Sequence, residues 1–336
     1  MSPNWLRTFM LAVSSHLLAA TLHAQAMRVT LLGTGSPPPS IERFGPATLV
    51  EVGGQKLLFD VGRGATQRLW QLGIPLGQVN RVFITHLHSD HVVGLPDLWL
   101  TGWLRSAYGQ RKAPLQVWGP RGTAGMAAAL RQAYAEDIRI RRTMFDYPDS
   151  VISLVGHDVG DGTVYDRDGV RVTAFAVEHG SVKPAFGYRL DFGGHSIVIS
   201  GDTRRSENVV RAARGADVLI HEVTVADPEF LEQSPDARRV VAELHFAGGC
   251  GGRVRCCPTE ALRLHTRAGL RVRETARGAD GKDRRSDARG LRRSRRTGRG
   301  PTDDRCRRYD YNDSAPAPLT RAQPHFGLTI VAAGKR

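Results

Sequence analysis

Val82-Phe83-Ile84-Thr85-His86-Leu87-His88-Ser89-Asp90-His91 is the stretch from which the fold is read. A short apolar run reads as a buried strand and delivers three imidazoles and a carboxylate in immediate succession. These are the ligand types of a pair of Zn²⁺-class ions. In extended chain, residues two apart share a side, so His86 and His88 can grip one ion together. Asp90 and His91 follow after the chain turns and can face a second ion. A solvated polar turn explains a single such residue, and it does not explain four packed this closely.

Working outward, the chain from Met27 is rich in strand patterns. Val29–Leu32 is a short apolar strand that ends in Gly33-Thr34-Gly35-Ser36. Ala47–Val52 and Lys56–Val61 flank Gly53-Gly54, a hairpin signal that recurs where 187–192 and 195–200 flank Gly193-Gly194. Ala65–Leu72, Thr123–Ala135 and Glu207–Ala213 read as helices. Leu115–Trp118, Val170–Val177 and Asp217–Ile220 read as strands. Strand pairs with helices inserted between them predict a layered α/β fold. Trp99, Trp103 and Tyr108 have near-helical spacing, which reads as core packing before it reads as a substrate wall.

Two further polar residues stand at strand ends, His179 and Asp202 (in Ser200-Gly201-Asp202-Thr203). Either alone reads as a turn residue. Beside the first cluster they gain weight, because two metal ions need about six or seven ligands with one carboxylate able to bridge. His86, His88, Asp90, His91, His179 and Asp202 supply six.

The 336 residues, 41% of them hydrophobic, can bury one large core. Net charge is +14, but residues 246–336 hold 22 of the 47 Lys+Arg and only 9 of the 33 Asp+Glu. The basic balance therefore belongs to the C-terminal segment and gives no reason to expect that the remainder seeks nucleic acid. Residues 1–26 read as a signal peptide: Arg7, a mostly apolar Phe9–Leu22, and the small-x-small pattern Ala24-Gln25-Ala26. Export to the periplasm or medium is expected, or a cytoplasmic location if Met27 is the true start. The apolar stretch is too short and interrupted for a membrane span, so no stable membrane partner is expected. Cys250, Cys256, Cys257 and Cys306 form no CxxC pair and imply neither a disulfide framework nor a zinc knuckle.

After His245 apolar periodicity stops and no helix or strand is expected. Arginine makes up 18 of the 60 residues from 251 to 310. A disordered basic tail that binds RNA or a polyanionic surface is one reading. The other, favoured by the abrupt onset inside an unfinished fold, is a shifted reading frame in GC-rich DNA. The expected organisation is a signal peptide at 1–26, a catalytic domain at 27–245 and an atypical segment at 246–336.

Taken together, the chain resembles the metallo-β-lactamase superfamily, and within it the ribonuclease Z and arylsulfatase-like branch. The resemblance rests on Leu32-Gly33-Thr34-Gly35-Ser36, Phe59-Asp60-Val61-Gly62, Thr85 to His91 with Gly94-Leu95-Pro96, His179 with Gly187-Tyr188-Arg189, Ser200-Gly201-Asp202-Thr203, and His221-Glu222-Val223-Thr224. It covers about residues 28–245. It implies a four-layer αββα sandwich with the metal ions at the sheet edge. It also implies two Zn²⁺, with Mn²⁺ as an admissible replacement. His86, His88 and His179 would hold one ion, Asp90 and His91 the other, and Asp202 would bridge. A metal-bound hydroxide would attack a phosphodiester or sulfate ester, and Asp90 would orient the water. Glu222 would work with a later histidine to protonate the leaving group. His245 sits where that histidine is expected, but Phe246 replaces the small hydroxyl residue that follows it in the family. The family's last metal ligand is expected near His265, in Leu264-His265-Thr266-Arg267, where no strand precedes it.

Three functions stay open on the sequence: a ribonuclease Z-like phosphodiesterase for which RNA is an admissible substrate, an exported arylsulfatase-like or cyclic-phosphodiesterase-like esterase, and a basic-tail binding protein with a vestigial metal site. A homodimer is compatible with each. Residues 146–169 are short and acidic, with no Gly/Pro- and Lys-rich insertion that could grip a tRNA. Translating the coding DNA in the two neighbouring frames beyond codon 245 is expected to uncover a His-Ser/Thr string and a later strand ending in histidine. Finding neither in either frame rejects the frame shift.

Overall fold

The structure, a computed structural model, describes residues 27–225, 228–244, 270–274 and 325–332. The signal-peptide stretch, His245, His265 and the four cysteines lie outside the described residues.

Two sheets form the centre. The first contains β1 (Met27–Gly33), β2 (Ala47–Val52), β3 (Gln55–Phe59), β4 (Arg81–Phe83), β5 (Leu115–Gly119), β6 (Leu154–Asp158) and β12 (Leu270–Glu274), in the order β12-β1-β2-β3-β4-β5-β6. The second contains β7 (Gly162–Arg167), β8 (Val170–Ala176), β9 (Phe186–Phe192), β10 (His195–Ile199), β11 (Val218–Val225) and β13 (His325–Ala332), in the order β13-β11-β10-β9-β8-β7. Both glycine-pair hairpins form as expected, β2–β3 around Gly53-Gly54 and β9–β10 around Gly193-Gly194. All four glycines have positive φ, which the tight two-residue turn demands.

The layers follow from the two-residue period of the strands. Leu49, Leu58, Val82 and Val117 point away from the second sheet and pack with Leu69, Leu98, Trp99 and Ala127. Those partners sit on α1 (Ala65–Gln71), α3 (Leu95–Gly102) and α4 (Thr123–Ala133). The alternate residues Val50, Leu57, Phe59 and Phe83 face Val172, Tyr188, Leu190, Ile197 and Ile220 between the sheets. On the far side of the second sheet, Val198 and Leu219 pack with Val209 of α7 (Glu207–Ala213). Helix, sheet, sheet, helix is the four-layer αββα arrangement expected from the sequence. Trp99 and Trp103 are fully buried, in agreement with core packing, whereas Tyr108 is exposed and meets Trp70 edge-on.

The remaining helices are α2 (Ser89–Val92), α5 (Ala135–Met144), α6 (Asp149–Ile152), α8 (Pro228–Gln233) and α9 (Pro235–Leu244). Among the described residues, no helix is long and apolar enough to cross a membrane.

Two differences from the sequence reading stand out. The acidic stretch 146–169, to which the sequence reading assigned no element, contains α6 and the strands β6 and β7. Asp158, at the end of β6, accepts the Ala124 N–H at 2.8 Å, and this bond, helped by the Gly122 and Thr123 amides and by Arg121, holds its carboxyl below the usual carboxylate range. The segment after His245 is not strandless: β12 pairs parallel with β1, and β13 pairs antiparallel along the whole of β11. An edge strand needs only a short extended run with a partner, so Leu270–Glu274 and His325–Ala332 can join a sheet without the long periodic pattern that marks a strand in sequence.

The sheets are tied together next to the histidine cluster. Tyr188 on β9 is wholly buried, and its hydroxyl donates to the Ile84 carbonyl at 2.7 Å. Phe186 N donates to the Thr85 carbonyl at 2.9 Å. Tyr188→Phe keeps the ring and orphans a buried carbonyl, so a loss of about 1–3 kcal/mol is expected. Urea unfolding should show a lower midpoint at unchanged slope; an unchanged midpoint rejects the tie.

Candidate metal centre

Each candidate ligand stands where a strand ends. β4 stops at Phe83 and leads through Ile84 and Thr85 to His86 and His88. The chain then turns into α2, which carries Asp90 and His91. His179 follows β8, and Asp202 follows β10. Strand ends leave backbone free to turn, so side chains following three strands converge at one edge of the sandwich.

The geometry forms two donor groups that share His86. His86, His88 and His179 have donor atoms within 4.8 Å of one another, and so do His86, His91 and Asp202. His88 Nδ1 lies 2.9 Å from His86 Nε2 and 3.4 Å from His179 Nε2. Ligands of a tetrahedral zinc ion stand about 3.4 Å apart, given bonds of about 2.0–2.1 Å. Asp90, 6% exposed, has Oδ2 at 3.8 Å from His91 Nε2.

A residue that the sequence reading assigned no role orders this cluster. Asp60 ends β3 in a left-handed conformation, φ 56°, and is buried. Its carboxylate accepts Thr85 N at 2.8 Å, Thr85 Oγ1 at 2.9 Å and His91 Nδ1 at 2.8 Å. The last bond puts the His91 proton on Nδ1 and turns Nε2 to the cleft. Thr85 has one hydroxyl proton and gives it to Asp60, so at 3.1 Å it accepts from His86 Nδ1. His86 therefore also presents Nε2. Outer carboxylates that fix imidazole orientation in this way are a recurring part of metal sites. The signal in the sequence was a lone carboxylate closing the apolar run Leu57-Leu58-Phe59. A strand-end Asp is ordinarily a turn residue, and Phe59-Asp60-Val61-Gly62 entered only as a motif of the resemblance, with no role attached to Asp60.

The donor set fits a pair of cations. His91 Nε2 is buried without a hydrogen-bond partner among the described residues, and it lies 3.4 Å from Asp202 Oδ2. Burial opposes a charge on His91, but the Asp202 and Asp60 carboxylates outweigh it and raise the imidazole well above its ordinary value. Groups that favour a proton there favour a metal cation in its place. His86 is pushed well below its ordinary value, first by burial and then by the neighbouring His91, so it stays a neutral ligand.

The wider frame is built from the motifs singled out in the sequence. Thr34, Gly35 and Ser36 line the cleft with Asp60, Asp90, His91, Asp202 and Glu222. A side chain at Gly62 would meet the Asp90 carbonyl at 2.5 Å, so only glycine lets the α2 turn seat against the β3 end. Glu222 Oε1 accepts Thr203 N at 2.8 Å, and Glu222 N donates to Ser200 Oγ at 3.1 Å, which clamps the turn holding Asp202. Thr203 Oγ1 accepts Glu178 N at 3.1 Å and so links the turn to the residue before His179. Arg189 Nη1 donates to the carbonyls of Ala212 and Arg214, closing the C-terminal end of α7. Asp90, His91, Asp202 and Glu222 thus share one cleft, and the three-histidine group adjoins it through His86. His245, the expected partner of Glu222, lies outside the described residues.

Residues 27–231 match the family model described as anti-Pycsar protein Apyc1. A ribonuclease Z of Mycobacterium marinum is 41% identical over 212 residues, which is 63% of this chain and 75% of that protein. A ribonuclease Z of Mycobacterium sp. (strain KMS) is 38% identical over 222 residues, 65% of this chain and 76% of that protein. Among solved structures, the short form of human tRNase Z is 25% identical with a TM-score of 0.47, covering 65% of this chain and 92% of that one.

Asp60→Asn keeps the shape but replaces the carboxylate that orients His91. A fall of about 10–100-fold in zinc affinity is expected, read by competition with a chromogenic chelator. Unaltered affinity removes Asp60 from the metal centre.

Proposed function

We propose a function from one premise: this chain belongs to the ribonuclease Z-like family of the metallo-β-lactamase superfamily, and its residues 27–231 also match the family model of anti-Pycsar protein Apyc1. It is a metal-dependent hydrolase. We assign it the hydrolysis of phosphodiester bonds in RNA, with two zinc ions in the cleft and Mn²⁺ as an admissible replacement. The observation that carries this reading is the pair of donor groups joined at His86, with His91 Nε2 buried and facing Asp202.

His86, His88 and His179 would hold one ion; His91, Asp90 and Asp202 would hold the other, with Asp202 shared. When bound, the ions supply Lewis acidity, which lowers the pKa of a water and absorbs charge growing on phosphoryl oxygens. The protein's own residues do the rest. Asp90, at the start of α2, accepts a proton from the attacking water and fixes its direction. Asp60 and Thr85 keep His91 and His86 in the tautomers that present Nε2. Glu222 holds the Asp202 turn through Thr203 N and sits in the cleft wall. We place it at the leaving-group end, with His245 as the partner that the resemblance supplies. The shared name of the relatives ranks RNA above the sulfate-ester and small cyclic-diester substrates.

The test uses the full chain loaded with zinc. Cleavage of a tRNA precursor with a 3′ extension and of bis-p-nitrophenyl phosphate is expected, with p-nitrophenyl sulfate left intact. Chelator should silence both reactions, and His88→Ala should lose metal loading and turnover together. Sulfate turnover without diester cleavage overturns the substrate assignment; full activity of His88→Ala overturns the site.

A further inference from the structure

Arg68, on α1, is a buried cation whose hydrogen bonds reach only neutral oxygens. It is 6% exposed. Nη1 donates to Gln71 Oε1 at 2.9 Å and Nη2 to the Glu42 carbonyl at 3.1 Å. Nε is buried without a hydrogen-bond partner among the described residues. Burying a guanidinium with no carboxylate against it costs stability, and an apolar residue there would seat α1 at lower cost.

What the guanidinium reaches is the loop between β1 and β2. Its Cζ stands 4.7 Å from the centre of the Phe44 ring. The same ring lies against Gly64, where any side chain would strike it. Gly64 and Arg68 are one helical turn apart and so share a face of α1. Phe44 itself has φ 46°, a left-handed conformation that a bulky residue keeps only when its surroundings hold it.

Two parts of the metal cleft depend on that conformation. The Phe44 carbonyl accepts Gly35 N at 2.6 Å, and Gly35 lines the cleft with Thr34, Ser36 and Pro37. Gly45, next in the chain, donates to the Arg63 carbonyl at 2.8 Å. It packs under the α2 turn so closely that a side chain there would meet the Asp90 carbonyl at 3.1 Å. Asp90 is the carboxylate to which the attacking water was assigned. One strained residue thus carries a wall of the cleft on one side and the seat of Asp90 on the other.

We infer that Arg68 is a positioning residue for the hydrolysis: it clamps Phe44 in the left-handed conformation and thereby fixes the Gly35–Pro37 wall and the backbone of Asp90. This role rests on the hydrolytic reading of the cleft and holds for a phosphate or a sulfate ester alike. Backbone strain gathers where a site needs one fixed shape, and a misplacement of about 1 Å at a reacting group costs about 100-fold in rate.

Stability and turnover should therefore part company in Arg68→Met, which removes the unmatched charge and keeps an unbranched stem. The urea midpoint is expected to stay or rise, while kcat falls about 10–100-fold with KM and zinc content near native. Hydrogen exchange supplies a readout apart from turnover: the Gly35 and Gly45 amides should exchange faster, with β9 protected as in the native chain. Phe44→Leu removes the ring that the guanidinium covers and should cost a similar factor in kcat. Arg68→Met/Phe44→Leu should lose no more than either alone, because both act through one contact. Rates are taken with the zinc-loaded full chain on whichever of bis-p-nitrophenyl phosphate and p-nitrophenyl sulfate the native chain hydrolyses. Turnover of the sulfate alone thus overturns the diester assignment without touching the clamp. Native kcat in Arg68→Met, a midpoint that falls along with the rate, native exchange at both glycines, or losses that multiply in the double variant each overturns the clamp. A native chain inert on both esters overturns it together with the proposed function.

Discussion

The Asp60 carboxylate is the constraint on which the rest of the centre depends. One buried group receives the Thr85 amide, the Thr85 hydroxyl and the His91 imidazole. Through those bonds it sets the proton position on two imidazoles that stand on different elements. Without it, His91 has no reason to turn Nε2 to the cleft, and Thr85 has no reason to accept from His86. The carboxylate also places a fixed negative charge beside His91, which helps draw a cation into a site walled by apolar strands. Its left-handed backbone at φ 56° belongs to the same arrangement, because the chain must leave β3 sharply to aim the side chain back at the end of β4.

Around this point the sandwich acts as a jig. The first sheet brings Asp60 and the His86–His91 run together through neighbouring parallel strands β3 and β4. The second sheet brings His179 and Asp202, and the two sheets are pinned by Tyr188 to Ile84 and by Phe186 to Thr85. Thr203 and Glu222 then lock the two turns of the second sheet to each other. His86 and His91 are thus each held by a bond that does not involve metal, and the Asp202 turn by two, so this part of the centre is organised before a cation arrives.

The contiguous part of this site was legible in the sequence, and the dispersed part less so. His86, His88, Asp90 and His91 announce themselves because four ligand types fall in one short string at a strand end. His179 and Asp202 carry no such local density and gain meaning only when added to that string and to the resemblance. Asp60 escaped because its partners are 25 and 31 positions away, and a strand-end aspartate is ordinary in sequence. The hairpins at Gly53-Gly54 and Gly193-Gly194 were readable because the turn chemistry allows few residues. β6 and β7 were missed because their aspartates mimic loop composition; their extended state is set by pairing with β5 and β8, a long-range cause. β12 and β13 were missed for the same reason, since each is defined by its neighbour, β1 or β11.

Anomalous diffraction at the zinc absorption edge, from crystals of the zinc-loaded full chain, measures the central claim most directly. Two peaks are expected, one against His86 Nε2, His88 Nδ1 and His179 Nε2, the other against His91 Nε2 and Asp202. A cleft without anomalous density, or zinc held by residues elsewhere, contradicts the metal centre.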